Sequence, residues 1–140
     1  ALRAEFIDGY DLHPRANIAK MSAGVALTDA DRAPWLDAVA AALHRPRIVV
    51  ACSALRRAYR DRIRSLAPGT VFVELVVPPA QLRTRVSRRD HFMPATLIDS
   101  QLATLEPLAS DEAGFRVAND ADLPAVVARI TALVTGQSLR

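Results

Sequence analysis

The chain has 140 residues, of which 51% are apolar and 24% are charged, the balance of a single globular domain. No run of eighteen apolar residues is present, which excludes a membrane span, and no signal-peptide pattern opens the sequence. The single cysteine excludes an internal disulfide framework and is typical of a reducing cytoplasm. The net charge of +3 and the 5% aromatic content are too low to indicate nucleic-acid binding.

Strand and helix signals alternate along the whole chain. In the first part of the chain, the sequence predicts a strand over 5–8, a helix or turn over 13–21, and a helix starting at the capping box of Thr28 and Asp31. A strand within 47–52 and a helix carrying Leu55, Tyr59, Ile63 and Leu66 follow. The second part predicts a strand over 70–77, helices over 78–88 and 94–106, a weak strand over 115–118, and a helix carrying Leu123 to Leu133. This alternation predicts an α/β fold with a mostly parallel sheet flanked by helices. The nearly continuous apolar run of 70–77 is typical of a parallel strand covered on both faces.

Ligands of such sheets bind beyond the carboxyl ends of the strands, so we expect the site in the segments that follow them. The first of these segments is residues 8–14. Asp8 would end a strand, where a carboxylate can hold a magnesium-bound water or a sugar hydroxyl, and Gly9 would allow close approach of the backbone. An acidic turn ahead of a helix is the simpler alternative for this segment on its own.

The second segment, residues 52–64, opens a helix on which Arg56, Arg60 and Arg64 recur every four residues. They therefore share one helix face. That face could bind an acidic substrate, since arginine pairs with carboxylates through a planar fork of donors, or it could simply face solvent. Cys52, just before this helix, is interpreted as a packed strand residue rather than a nucleophile, because no evident Cys–His arrangement accompanies it.

The third segment, residues 83–94, carries four arginines within seven residues. Such a cluster could neutralise the oxygens of a phosphoryl group during its transfer. An exposed basic helix end is the alternative.

Taken together, these segments resemble the gluconokinase family. The resemblance rests on the motifs Asp8-Gly9-x-x-x-His13-Pro14-x-x-Asn17-x-x-Lys20-Met21, Gly24-x-x-Leu27-x-Asp29-x-Asp31-Arg32-x-Pro34-Trp35-Leu36, Cys52-Ser53-Ala54-Leu55, Tyr59-Arg60-Asp61, His91-Phe92-Met93-Pro94, Ser100-Gln101 and Leu105-Glu106-Pro107. It implies a P-loop kinase that uses ATP and Mg²⁺ to phosphorylate D-gluconate to 6-phosphogluconate. It also implies a parallel sheet flanked by helices, a lid over about 83–95 and a homodimer. Shikimate kinase and other small-molecule kinases share the fold, but the motifs at 52–55 and 91–94 argue against them.

The resemblance also assigns roles to individual residues. Asp8 and Arg88 would be catalytic, with Asp8 holding the metal through water. Arg85 and Arg88 would contact the nucleotide. Five residues would bind the substrate: His13, Lys20, Ser53, Arg60 and Gln101.

The chain departs from the family pattern in three places. It contains no Gly-x-x-Gly-x-Gly-Lys-Ser/Thr phosphate loop, so we expect that the first strand, the loop and the first helix are missing. The 140 residues would then form one N-terminally incomplete kinase domain that cannot phosphorylate gluconate by itself. The alternative is a non-catalytic paralogue that binds sugar acids. Tyr10 occupies a position where the family usually has Asp, and a phenol is a poor base at neutral pH. Asp90 replaces a common glycine in the lid.

Overall fold

The computed structural model describes residues 3–78, 80–82, 84 and 95–138. The strands are β1 (Glu5–Asp8), β2 (Ile48–Ala51), β3 (Phe72–Val76) and β4 (Gly114–Ala118). The helices are α1 (Arg15–Ser22), α2 (Asp29–Ala42), α3 (Arg57–Leu66), α4 (Ala95–Thr104) and α5 (Leu123–Ser138), and a 3₁₀ turn follows β1 at Gly9–Leu12. Residues 80–82 and 84 are also helical.

All strand pairing in the described residues is parallel, as predicted. β1 pairs with β2, with Asp8 opposite Ala51, and β3 pairs with β4, with Phe72 opposite Gly114. The described strands form two sheets of two strands each rather than one sheet. The expectation that 70–77 is covered on both faces is wrong for Leu75, which is 49% exposed in the part of the chain that the structure describes.

The main core lies between α2 and α3, and residues of both sheets pack against it. Its buried members are Trp35, Leu36, Val39, Ala40, Leu55, Tyr59, Ile63 and Ala67. Val50 of β2 and Phe72 of β3 pack against this cluster from the two sheets. The predicted apolar face of α3 is confirmed at Ile63, which is fully buried, but Leu66 at the end of that helix is 45% exposed.

The predicted capping box sets the start of α2. The Asp31 backbone N–H donates to Thr28 Oγ1 at 3.1 Å, and the Thr28 backbone N–H donates to Asp31 Oδ2 at 2.9 Å. Each bond satisfies an amide near the helix N-terminus that has no partner within the helix. The orientation of α2 decides where Arg32 and Trp35 lie, and both matter for the site.

The predicted lid over 83–95 falls outside the described residues, apart from residues 84 and 95. In the part of the chain that the structure describes, no helix has the length and apolar content that crossing a bilayer requires.

Candidate active site

A cavity of about 350 Å³ opens at the carboxyl ends of β1 and β2. The last residue of each strand, Asp8 and Ala51, lies on its wall, as does Ser53, two residues after the end of β2. Gln101 of α4 closes another side. This is the place where a parallel α/β sheet is expected to bind its ligand.

The backbones at the ends of β1 and β2 pack closely beside this cavity. A Cβ atom on Gly9 would lie 2.5 Å from the carbonyl oxygen of Ala51 and 2.9 Å from Cβ of Cys52, so only glycine fits where β1 ends against β2. The Asp8 carboxylate turns back and accepts a hydrogen bond from the Tyr10 backbone N–H at 3.0 Å. This bond caps the 3₁₀ turn and holds an exposed carboxylate at the cavity rim.

His13 and Trp35 form one wall as a stacked pair of rings. Their centroids are 4.4 Å apart and their planes differ by 9°. The indole is fixed in turn, because Trp35 Nε1–H donates to the Gly9 carbonyl at 2.7 Å. Burial, followed by the positive charge of Arg32, lowers the pKa of His13 to about 4. His13 therefore lines the cavity as a neutral imidazole at physiological pH.

Arg32 places a cation on the cavity wall, and its side chain is only 12% exposed. Its Nη1–H donates to Tyr59 Oη at 2.7 Å, and Tyr59 Oη–H donates to Asp29 Oδ1 at 2.6 Å. The guanidinium also lies over the Tyr59 ring, 5.1 Å from the ring centroid. The contact with Tyr59 uses Nη1, and a guanidinium carries further N–H donors on Nε and Nη2. A fixed, largely buried fork of this kind is suited to a carboxylate.

Comparison with known proteins points to one family. The gluconokinase of Gluconobacter oxydans (strain 621H) is 45% identical over 122 residues, which are 82% of this chain and 68% of that protein. The thermoresistant gluconokinase of Escherichia coli (strain K12) is 39% identical over 134 residues, 91% of this chain and 77% of that protein. A crystal structure of a gluconokinase from Sinorhizobium meliloti 1021 superposes with a TM-score of 0.79 at 41% identity, covering 96% of this chain and 83% of that one. No protein-family model matches the chain.

The chain belongs to the gluconokinase family. It spans about two thirds of the length of the curated relatives it matches first. The predicted fold class, an α/β kinase fold with parallel strands flanked by helices, is confirmed by the likeness to solved sugar kinases. Members of this family are kinases, phosphotransferases that act on an alcohol group.

The structure brings four of the residues predicted for a gluconokinase site to one cavity. They are Asp8, His13, Ser53 and Gln101. Lys20 is not among the residues that line this cavity, and its Nζ lies 2.7 Å from Asp31 Oδ2 in an ion pair. That bond, together with the backbone of Thr28, lowers the pKa of Asp31 to about 2. Arg85 and Arg88 lie outside the described residues.

Arg60 is not on the cavity wall either, and its surroundings differ from the predicted substrate contact. Its Nε and Nη2 donate to the two carboxylate oxygens of Glu112 at 2.7 and 2.9 Å. Its Nη1 donates to the carbonyls of Ala54 at 2.9 Å and Glu106 at 3.0 Å. The side chain is 5% exposed and that of Glu112 is fully buried. Its donors are thus bonded inside the protein, the structure does not bring Arg60 to the cavity, and we infer a structural role for it.

The predicted arginine face of α3 is thus only partly a surface. Arg64 also turns inward and donates through Nη2 to Glu112 Oε1 at 2.9 Å. The hydrogen bond from Arg60 is the main reason that the pKa of Glu112 is lowered to about 2. The Glu112 carboxylate therefore pairs with two of the three arginines on this helix face.

Sequence reasoning missed two residues of the cavity as site residues, Arg32 and Trp35. Both lie in a motif that supported the resemblance, but neither was assigned a role in the site there. The signal that could have found Arg32 is its position four residues from a capping residue, three before an aromatic core residue.

Cys52 lies on the cavity wall and packs against the core. Burial raises the pKa of its thiol to about 11. A thiol that stays protonated at neutral pH is a weak nucleophile, which supports its interpretation as a packing residue.

Proposed function

We propose that this protein phosphorylates the terminal hydroxyl of D-gluconate with ATP, giving 6-phosphogluconate, in the cytoplasm. The observation that carries the proposal is the 45% identity with a gluconokinase over 82% of the chain. The composition of the cavity supports it, since one cation and several hydrogen-bonding side chains suit a polyol that ends in a carboxylate. Nothing in the comparisons favours the alternative of a non-catalytic sugar-acid-binding protein.

In this proposal Arg32 binds the substrate carboxylate. It is the cation that lines the described cavity, and Tyr59 already fixes its orientation, so little conformational entropy is lost on binding. His13, Ser53 and Gln101 line the same cavity and bind the hydroxyls along the chain of the substrate. A volume of about 350 Å³ lies within the usual range for small-ligand pockets.

Asp8 then acts at the terminal hydroxyl. Its exposed carboxylate lies at the end of β1, where it can orient that hydroxyl and accept its proton. The neighbouring Tyr10 is also on the cavity wall, but a phenol does not replace a carboxylate as a base at neutral pH. We therefore assign the base to Asp8 alone.

Asp8 also fits a magnesium ion held through water. Mg²⁺ prefers oxygen ligands and keeps several waters, binding through one or two carboxylates and substrate phosphates. In the part of the chain that the structure describes, no three His, Cys, Asp or Glu side chains form a group that could hold a metal ion. Bound Mg-ATP would supply the phosphoryl group and neutralise part of its charge.

The nucleotide side of the site is proposed from the resemblance alone. Arg85 and Arg88 would contact the nucleotide and the transferred phosphoryl group, with Arg88 catalytic. The 140 residues contain no Gly-Lys-Ser/Thr loop, so we assign none of them to a backbone cradle for the phosphates. A homodimer is likewise expected from the resemblance.

The first test measures gluconate binding by isothermal titration calorimetry on the 140-residue chain. Phosphoryl transfer is measured by formation of 6-phosphogluconate, both on that chain and on the chain extended upstream along its own gene. Binding of gluconate together with product formation by the extended chain supports the proposal. Binding without product from either sample would contradict the kinase assignment.

The second test separates the carboxylate contact from the hydroxyl contacts. Arg32→Gln should weaken gluconate binding about tenfold to a hundredfold, the worth of one charge-assisted hydrogen bond. The preference for gluconate over the uncharged six-carbon polyol D-glucitol should shrink by the same factor. Arg62→Gln is the matched control, because Arg62 is exposed and pairs with Asp37 on another surface. An unchanged preference in Arg32→Gln would remove Arg32 from the site.

A further inference from the structure

Asn17 of α1 is a buried polar residue in contact with the cavity wall. It is 4% exposed, and it lies one helical turn beyond His13 in the sequence. Its Nδ2 lies 2.8 Å from the backbone oxygen of Asp31 and 3.2 Å from Nδ1 of His13. The side chain therefore joins α1 to the first turn of α2 and to the imidazole at the same time.

The chemistry of these contacts fixes the position of the His13 proton. A backbone carbonyl only accepts hydrogen bonds, so the Asn17 group facing Asp31 must be the NH₂ group and not the amide oxygen. The second hydrogen of that NH₂ group is then available to Nδ1 of His13. A ring nitrogen that accepts a hydrogen bond carries no proton, so the proton of the neutral ring lies on Nε2.

We propose that Asn17 is a positioning residue that holds His13 as the neutral Nε2–H tautomer, so that the ring offers a hydrogen-bond donor to an oxygen of the substrate. The identity of that substrate rests on the proposed function, whereas the tautomer does not. The stack on Trp35 sets the plane of the ring, and Asn17 sets which edge donates. One stacked partner and one hydrogen-bonded partner thus pre-organise one donor in the cavity wall.

The charges around the ring favour the neutral form. Arg32 lies on the same cavity wall and opposes protonation of His13. The carboxylate of Asp31 is engaged by Lys20 at 2.7 Å. Asp8 and Asp11 of the preceding strand and turn are both exposed to water, which screens their charges.

The test is ¹⁵N NMR of the histidine side chains in the protein without substrate. The signals of His13 are identified by their loss in His13→Gln. At pH 7 we expect an unprotonated Nδ1 and a protonated Nε2. A protonated Nδ1 in the wild-type protein would overturn the proposal.

Asn17→Asp provides the second arm, because it reverses the polarity of the bond. A carboxylate accepts a hydrogen bond, so Nδ1 of His13 should gain a proton, as the other tautomer or as imidazolium. An unchanged ring pattern in a folded Asn17→Asp protein would contradict the role of Asn17. Fluorescence of Trp35, the single tryptophan, reports whether the fold around the ring is intact, and if this variant does not fold the wild-type spectrum alone decides.

A double-mutant cycle separates positioning from a merely structural role. Asn17→Ala should weaken gluconate binding about fivefold, close to the worth of one neutral hydrogen bond. In a His13→Gln background, where the amide donates without help, Asn17→Ala should have no further effect. An equal loss in both backgrounds would show that Asn17 only supports the fold. If gluconate does not bind to the wild-type protein, the proposed function is wrong. The NMR spectrum then still decides, independently of gluconate, whether Asn17 holds the Nε2–H tautomer of His13.

Discussion

Removing the cation from the buried Arg60–Glu112 pair is expected to cost stability and not substrate affinity. The pair is joined by two charge-assisted bonds of 2.7 and 2.9 Å, and both side chains are almost wholly buried. Arg60→Ala leaves the Glu112 carboxylate with Arg64 as its remaining arginine and leaves the carbonyls of Ala54 and Glu106 without their donor. Breaking a buried pair from one side lowers the free energy of unfolding by about 3–5 kcal/mol, a large part of the total of a small domain.

The assay is urea unfolding followed by the fluorescence of Trp35 and by circular dichroism. Arg62→Ala on the same helix is the matched control, because the Arg62–Asp37 pair is about half exposed on both sides. An exposed pair contributes about 0–1 kcal/mol, so this variant should unfold close to the wild-type urea concentration. Gluconate affinity, measured where each variant is folded, should be unchanged in both.

A contrary result would be equally informative. If Arg60→Ala keeps wild-type stability and binds gluconate tenfold more weakly, then Arg60 contacts the substrate and its structural assignment is wrong. Glu112→Gln gives a second reading of the same pair, because it keeps the shape of the side chain and removes only its charge. It should also destabilise the fold, since the buried Arg60 then lacks its anion, while Arg64 keeps Asp61 as a partner.

Three further predictions address the cap, the imidazole and the thiol. Because the pKa of His13 is lowered to about 4, His13 takes up its proton in the unfolded chain before it does so in the folded protein as the pH falls from 6.5 to 4. The free energy of unfolding should therefore drop by up to about 3 kcal/mol over that window. Urea unfolding midpoints of His13→Gln should not show this drop, and a drop as large as that of the wild-type protein would refute the prediction. Thr28→Ala removes the acceptor of the capping box and should cost about 1 kcal/mol in the same unfolding assay, whereas no change would mean that water replaces the cap. The thiol of Cys52, with a pKa of about 11, should react with iodoacetamide at pH 8 about a hundredfold more slowly in native protein than in urea, and equal rates would contradict its burial.

Much of the local structure could be predicted because its causes lie close together in the sequence. The strand Glu5–Asp8 and the capping box at the start of α2 both appear where the pattern places them. Alternation of strands and helices was enough to predict parallel pairing, since parallel strands need long crossover connections. The cavity at the end of β1 and β2 followed from the same rule about parallel sheets.

The partners of the charged side chains could not be predicted in this way. A four-residue spacing shows that Arg56, Arg60 and Arg64 share a helix face, but it does not show whether that face meets water or a buried acid. The acid is Glu112, 52 residues after Arg60, and only the packing of the segment before β4 brings it there. Lys20 illustrates the same limit, because its nearest carboxylate, Asp31, lies on the following helix.

By itself, the sequence determined the order and type of the described helices and strands, the family, and the first two of the segments that line the cavity, because these depend on local periodicity, turn chemistry and motifs. Only the tertiary structure decided which polar side chains line the cavity together and which form ion pairs or hydrogen bonds inside the protein. His13 stacks on Trp35 and lies within hydrogen-bonding distance of the Asn17 amide, whereas Arg60 forms a buried ion pair with Glu112. The physical reason is that burial and charge pairing depend on distances between elements, and spacing along the chain does not specify those distances.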